Sequence, residues 1–384
     1  MPRGGHASGN PDSRKGSTLL IVRAPVRVSL AGGGTDLPAY YERHGGLVVS
    51  TSINKYFYVF ISHNPGSPHS VQVGSSDYRT FHRHRAGEPP LWDGDFGLVK
   101  AALHDFGVEG GLALFLASEV PPGTGLGSSS TVAVALGKAL STLRGRPLGR
   151  AQLAEWACAL EIGKLRSPIG KQDQYAAAYG GLNALTFAAE GVAVEPVRIA
   201  PEVLALLERN LLLFFTGATR SANAILRHQT KASADDRGEA VAALHAIKEA
   251  ARETRRCLER GDLRAYADIL AESWEQKKRL AAGISNSRVD ELYELARRHG
   301  ALGGKLAGAG GGGFLMLYCE QEHQPAVTGA LERAGLYRMD YHFDRGGAQV
   351  LTNALAGPLL GDRVVAPREI RAPSPAIRQP VYGA

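Results

Sequence analysis

Pro121-Pro122-Gly123-Thr124-Gly125-Leu126-Gly127-Ser128-Ser129-Ser130-Thr131 is the stretch on which the reading of this chain turns. Apolar residues over 112–116 lead into it as a strand. Val132, Leu136, Leu140 and Leu143 follow at spacings of three or four, so a helix begins at its serines. Glycines let the main chain approach an anion closely, and the N–H groups of a helix start point together toward it. Ser128, Ser129 and Ser130 add hydroxyls suited to phosphate oxygens or to a magnesium ion. The same residues also suit a plain serine-capped helix after a flexible loop.

Two common phosphate motifs are excluded. A Walker A loop carries Lys-Ser/Thr after its last glycine, where this chain has Ser128-Ser129. Residues 308–313 match G-x-G-x-x-G, but a strand-like run over 314–318 follows them. A dinucleotide fingerprint needs a strand before and a helix after.

Upstream of the central loop stands Pro25-Val26-Arg27-Val28-Ser29-Leu30-Ala31-Gly32-Gly33-Gly34-Thr35-Asp36. In a strand, Arg27, Ser29 and Ala31 share one face and Val26, Val28 and Leu30 the other. The triple glycine delivers Thr35 and Asp36 from a tight turn. Asp36 suits either the hydroxyls of a sugar or the cap of a helix over 37–43. Downstream, an amphipathic helix is expected over 151–164, with Glu161 near its end. Residues 171–181 read as a further helix closed by Gly180 and Gly181, with Asp173 in its first turn, where the dipole favours a carboxylate. Arg166 and Lys171 lie in and beside the intervening loop. A carboxylate for a metal, a carboxylate base and nearby cations are what phosphoryl transfer needs.

Strands are also expected over 19–22, 48–61, 70–74, 211–215 and 337–343, and helices over 97–106, 239–260, 263–281, 289–299 and 323–334. The charges on the later helices read as solvated faces. Lys305-Leu306-Ala307-Gly308-Ala309-Gly310 opens a second glycine loop before the strand at 314–318. His82, Arg83, His84 and Arg85 read as a solvated basic loop in preference to a metal site.

The chain has 384 residues, 44% hydrophobic, which suits two globular domains. Its net charge is +7, of which residues 1–17 and 357–384 carry +2 each, leaving about +3 for the rest. That is too little and too scattered for nucleic acid, though it suits a polyanionic substrate. Cys158, Cys257 and Cys319 are far apart, so neither a disulfide framework nor a zinc site follows. No secretory signal or membrane span is read, and a cytoplasmic location is expected. Residues 1–17 and the tail from 356 read as disordered, around domains over 18–200 and 201–355.

Residues 25–36, 121–131 and 305–314, with Glu161 and Asp173 between the second and third, resemble the three signature motifs of the GHMP small-molecule kinases, in their order. The resemblance spans about residues 19–350. It implies an α+β chain of two domains, an N-terminal one like ribosomal protein S5 domain 2 and a ferredoxin-like C-terminal one, with ATP and substrate between them. It implies that Pro122, Gly123, Thr124, Gly125, Leu126, Gly127, Ser128, Ser129 and Ser130, with Gly308, Gly310 and Gly311, serve ATP. Ser128 or Ser129 and Glu161 would hold Mg2+. Asp173 would take the proton of the attacking hydroxyl, and Arg27 would neutralise developing charge.

Residues 31–38, 169–176 and 216–221 are similar to the heptose 7-phosphate kinase branch, which phosphorylates an anomeric hydroxyl to give a 1,7-bisphosphate. Gly33 and Gly34 replace the Glu-His pair of the galactokinases. Gly34, Thr35, Asp36, Lys171, Gln172, Tyr175, Gly180 and Arg220 are thereby expected at the sugar, with Lys171, Arg220 and Arg166 as candidates for its terminal phosphate. Ser130-Thr131 stands where many members have alanines. A kinase of an octose 8-phosphate or of fucose, and a catalytically dead ligand-binding member of the fold, are the rival readings. A homodimer is the family-level expectation, with no nucleic acid or membrane partner.

Overall fold

The computed structural model describes residues 19–76, 80–85, 96–218, 222–233 and 238–354. In chain order the strands are β1 Leu19–Ala31, β2 Gly46–His63, β3 Ser70–Ser75, β4 Thr80–Arg85, β5 Leu112–Ser118, β6 Leu182–Ala188, β7 Gly191–Pro196, β8 Leu211–Phe215, β9 Ala301–Leu306, β10 Phe314–Cys319, β11 Tyr337–Met339, β12 Phe343–Asp344 and β13 Gln349–Asn353. The helices are α1 Pro38–His44, α2 Gly97–Asp105, α3 Ser128–Leu143, α4 Arg150–Cys158, α5 Gln172–Tyr179, α6 Pro201–Asn210, α7 Ala222–Ala232, α8 Glu239–Arg260, α9 Leu263–Lys278, α10 Ser287–Arg298 and α11 Gln324–Arg333.

Two sheets organise them. The first has nine strands, in the order β13-β1-β2-β5-β3-β4, with β6 and β12 also on β2 and β7 on β6. β2 is 18 residues long, enough to pair with β5 along one half and β6 along the other. The second has four antiparallel strands in the order β11-β8-β10-β9. Helices α7 to α10 separate its first and second strands and α11 its third and fourth, which is the ferredoxin-like arrangement.

Local sequence explains most elements. The run Leu211-Leu212-Leu213-Phe214 is buried on both faces, as a central strand requires. Asp262 and Asn286 cap α9 and α10 by accepting from Ala265 N and Val289 N, each at 3.0 Å. Small residues set how closely α3 and α4 approach: a Cβ on Gly137 would stand 2.4 Å from the Trp156 ring.

Four expectations change. The strand expected over 337–343 is split, Tyr337–Met339 pairing with β8 and Phe343–Asp344 with β2. His82 and His84 lie on β4, paired with β3, and not in a loop. The helix expected over 151–164 is α-helical only to Cys158, and Ala159–Lys164 continues as a π-helix. Residues 343–353, expected within the C-terminal domain, return to the first sheet: Phe343 pairs with Ile53 on β2, and β13 pairs with β1 along Leu20–Arg23. The reason is that β1 offers an unpaired edge there, and an unpaired strand edge recruits one.

The two glycine loops meet backbone to backbone. Phe314 N donates to Thr124 O at 3.1 Å. A Cβ on Gly125 would stand 2.4 Å from Ala307 O, and one on Gly308 would stand 2.6 Å from Gly125 Cα. Gly308 has φ +66 and Gly145 has φ +69, but nothing lies within 4 Å of a Cβ on Gly145. Gly145→Ala should therefore cost about 1 kcal/mol from the left-handed backbone alone. Gly308→Ala should cost at least about 1 kcal/mol more, because a whole loop must move. Denaturant unfolding of both variants checks this; equal losses would show that the loops separate freely.

Candidate active site

Arg27, 3% exposed, ties the first motif to the second and to α5. Its Nε and Nη2 donate to Asp173 Oδ1 at 2.7 and 2.6 Å. Its Nη1 donates to Gly125 O at 2.7 Å, and its main-chain N to Leu126 O at 3.1 Å. A bulge in the β1–β2 register between Pro25 and Arg27 lies at this point. The other carboxylate oxygen, Asp173 Oδ2, would be 3.0 Å from a Cβ on Gly127. Asp173 is thus gripped by a guanidinium on one side and pressed by the glycine loop on the other.

Glu161 sits in the π-helical turn and is 1% exposed. Ser129 Oγ donates to its Oε1 at 3.1 Å, and Gln174 Nε2 to its Oε2 at 2.6 Å. Burial pushes its carboxyl up to about 7, against the hydrogen bonds from Ser130, Gln174 and Ser129. Ser128 Oγ is buried without a hydrogen-bond partner in the first turn of α3. No group of three His, Cys, Asp or Glu able to hold a metal occurs among the described residues. One carboxylate beside hydroxyls, completed by substrate phosphates and water, is a set that Mg2+ accepts, so the residues fit the ion.

Several expected ligands do other work. Asp36 does not cap α1, whose N-cap is Leu37. Its carboxylate turns back to accept from Gly34 N at 2.9 Å, Gln172 N at 3.2 Å and Gln172 Nε2 at 3.1 Å. Burial, then Asp173, raises its pKa. Thr35 is fully buried, its hydroxyl donating to Gly32 O and Leu47 O, so it staples the turn and is closed to a sugar. Tyr175 packs into the N-terminal core with its hydroxyl on Glu155. Gly180 ends α5 against the 346–347 turn, where a Cβ would stand 2.1 Å from Gly347 N.

Within the loops, Thr124 and Leu126 are fully buried and face inward. Gly310 and Gly311 meet Ile284, with Gly311 N donating to Ile284 O at 2.9 Å, so that N–H is not aimed at a phosphate. Gly308 touches the central loop, at Gly125. Pro122, Gly123 and Ser129 are exposed at the loop's rim, with Gly34 and Ser128 partly so. Lys171 Nζ lies 3.6 Å from Glu155 Oε2 and 5.9 Å above the Tyr41 ring. Arg166 is exposed with φ 56. Arg220 lies outside the described residues.

Two buried lysines were not anticipated. Lys277 Nζ donates to Gly308 O at 2.5 Å, and Lys305 Nζ to Leu30 O at 3.1 Å. Burial, then Arg27, pulls Lys277 down to about 8, while Asp36 and Asp173 hold it up. Burial pushes Lys305 well below the usual lysine range. The sequence held a signal for Lys277: it continues the buried stripe Leu263, Tyr266, Leu270, Trp274 of α9, where a solvated lysine has no place.

A family described as the GHMP kinases N terminal domain matches residues 96–181, and its C-terminal counterpart matches 254–336. A D-glycero-alpha-D-manno-heptose 7-phosphate kinase of Campylobacter jejuni is 33% identical, covering 86% of this chain and 98% of that protein. An L-fucokinase/L-fucose-1-P guanylyltransferase of Bacteroides fragilis is 28% identical over 80% of this chain and 35% of that longer protein. The crystal structure of a D-glycero-D-manno-heptose 1-phosphate kinase from Bacteroides thetaiotaomicron superposes with a TM-score of 0.71 at 29% identity, covering 87% of this chain and 99% of that one. The chain belongs to the GHMP kinase family and is an ATP-dependent kinase.

Proposed function

We propose that this kinase phosphorylates the anomeric hydroxyl of D-glycero-D-manno-heptose 7-phosphate, giving the 1,7-bisphosphate. The observation that carries the reading is Asp173, held by Arg27 where the two glycine loops meet. The similarity to the C. jejuni enzyme supports the choice of acceptor. Lys171, two residues before Asp173 and only 20% exposed, supports a terminal phosphate on the sugar. A homodimer and a cytoplasmic location belong to the same reading as family-level expectations. Among the described residues no helix is long and apolar enough to cross a membrane.

On this reading the step runs as a direct phosphoryl transfer. Asp173 Oδ2 takes the proton of the anomeric hydroxyl. The freed oxygen attacks the γ-phosphorus of ATP, a new C–O–P link forms, and the bond to the β-phosphate oxygen breaks with ADP as leaving group. Arg27 orients Asp173 and offsets charge at the reacting oxygens. The loop 123–129 and the start of α3 bind the triphosphate through main-chain N–H groups. Mg2+, held by Glu161 and Ser128 or Ser129, would neutralise phosphate charge. Most of the rate is positioning and electrostatics.

An ADP-release screen over seven- and eight-carbon phosphosugars, beside fucose, galactose and mannose, tests the reading. The heptose 7-phosphate should be preferred; a preference for fucose or an octose 8-phosphate would replace it. Asp173→Asn should lower turnover by about 10²-fold or more with ATP still bound; undiminished turnover would remove Asp173 from the base role. Lys171→Ala should raise KM for the phosphosugar more than for ATP, and equal rises would undo the terminal-phosphate role. Because Glu161 must lose its proton to meet a cation, and its carboxyl is pushed up to about 7, Mg2+ should bind more weakly below that pH. Mg2+ titrations at pH 6 and pH 8 should show half-saturation roughly tenfold higher at pH 6, and Glu161→Gln should flatten the difference.

A further inference from the structure

The two faces of the first sheet are treated unequally by the rest of the chain. On one, Leu20, Val22, Val59, Ile61, Leu114 and Leu116 are buried in a single core with α2, α3 and α4. The alternate residues of the same strands, Ile21, Tyr58, Phe60 and Phe115, join no hydrophobic core among the described residues. Strand register sets several of them in one line across the sheet. Thr352 on β13 stands opposite Ile21 on β1, Ile21 opposite Phe60 on β2, and Phe60 opposite Phe115 on β5. The Phe60 and Phe115 rings lie 6.1 Å apart between centroids, and Tyr58 stacks on Phe60 at 6.2 Å. Phe115 is 48% exposed, and Leu351, the extra residue of the β13 bulge beside Ile21, is 45% exposed. Two of the four exposed large hydrophobic residues among those described therefore stand at this one face. An aromatic row left open to water is a binding surface or an aggregation liability.

Both ends of the described fold leave at one corner of that row. β1 begins at Leu19, and Ala354 N, just past β13, donates to Leu19 O at 2.9 Å. The segment before the corner, 1–18, has Met1 as its sole large apolar residue, so it has nothing to lay on the face. The segment after it, 355–384, has Leu355, Leu359, Leu360, Val364, Val365 and Ile370 in its first half alone. Its prolines and glycines deny it a core of its own, but a surface already built supplies one. Gly357-Pro358 gives a turn signal just beyond the corner, where the chain must reverse to cross the sheet. Each step along the row spans about 4.8 Å, so Phe115 stands about 14 Å from Thr352. About five extended residues cover that distance, and the segment is several times longer. It lies beyond the C-terminal family match, which ends at 336, and the C. jejuni kinase is matched over 98% of its length by 86% of this chain. The kinase fold is thus shared without it.

We propose that residues 355–384 fold back across the outer face of the first sheet, laying the apolar residues of 359–365 over Ile21, Phe60 and Phe115. The occupant is this chain's own segment in preference to a second copy, because a tether of a few residues gives an effective concentration of millimolar order. Hydrophobic burial drives the contact. It is independent of which sugar the kinase accepts.

The test is photocrosslinking of the full chain carrying benzoylphenylalanine in place of Phe115, with linked peptides identified by mass spectrometry. Links should form within one chain to peptides of 355–384. The same probe in place of Tyr337, exposed on β11 of the second sheet, should link to that segment at least about fivefold less, because tethering alone favours neither position. Leu359→Asp combined with Leu360→Asp should lower linking from position 115 by about fivefold and raise the fluorescence of an apolar dye, as uncovered hydrophobic surface does. The comparison of positions 115 and 337 uses wild-type segments and stands whether or not the double variant folds. Equal linking from both positions would show a tether without docking and overturn the proposal. Links to a second copy, migrating as a dimer, would make the face a subunit interface and overturn it also. Links to residues 1–18, or none at all, would do the same.

Discussion

The structure depends on a contact that side chains would prevent. At Gly125 and Gly308 two main chains from opposite halves of the molecule touch at distances no Cβ allows. The hydrogen bond from Phe314 N to Thr124 O locks the approach, and a Cβ on Gly313 would stand 2.2 Å from Thr124 O. Everything chemical follows from that closeness. Arg27 can reach Gly125 O, Leu126 O and Asp173 at once because the loop is held down onto β1.

The same compactness concentrates charge in low-dielectric surroundings. Arg27, Lys277 and Lys305 are buried within interaction range of one another. Asp36 and Asp173 answer Lys277, and Asp173 pairs with Arg27. Such groups are expensive to desolvate, and each is compensated by main-chain or side-chain hydrogen bonds and not by a full ion pair, apart from Arg27 with Asp173. The arrangement is preorganised: its cations are already fixed by main-chain and carboxylate oxygens. The Ser128 and Ser29 hydroxyls and Gln172 Oε1 are the visible remainder, donors and acceptors left without partners inside the protein.

Much of this was legible before any coordinates. The helix from Ser128 and the strands at 211–215 and 314–318 follow from period and spacing; the meeting of the second and third motifs does not, and only the family resemblance pointed to it. Asp173 and Glu161 stood out in the sequence because acids flanking a loop with cations have a chemical use. The errors share a cause. Thr35, Tyr175, Gly180, Gly310 and Gly311 lie next to other candidate site residues in the chain, but their atoms are engaged by the fold. Adjacency in sequence does not say which way a side chain points.

The sequence by itself determined the local propensities: where glycine permits a left-handed turn, where an apolar run must be buried, where an acid can sit at a helix start. Those depend on a residue and its few neighbours. Only the tertiary structure decided that Asp36 turns toward α5, that β13 returns to β1, and that Lys277 and Gln229 come to a turn more than 190 residues away. Those facts are set by long-range packing, in which hydrophobic burial chooses the partners and polar groups take whatever neighbours it leaves them.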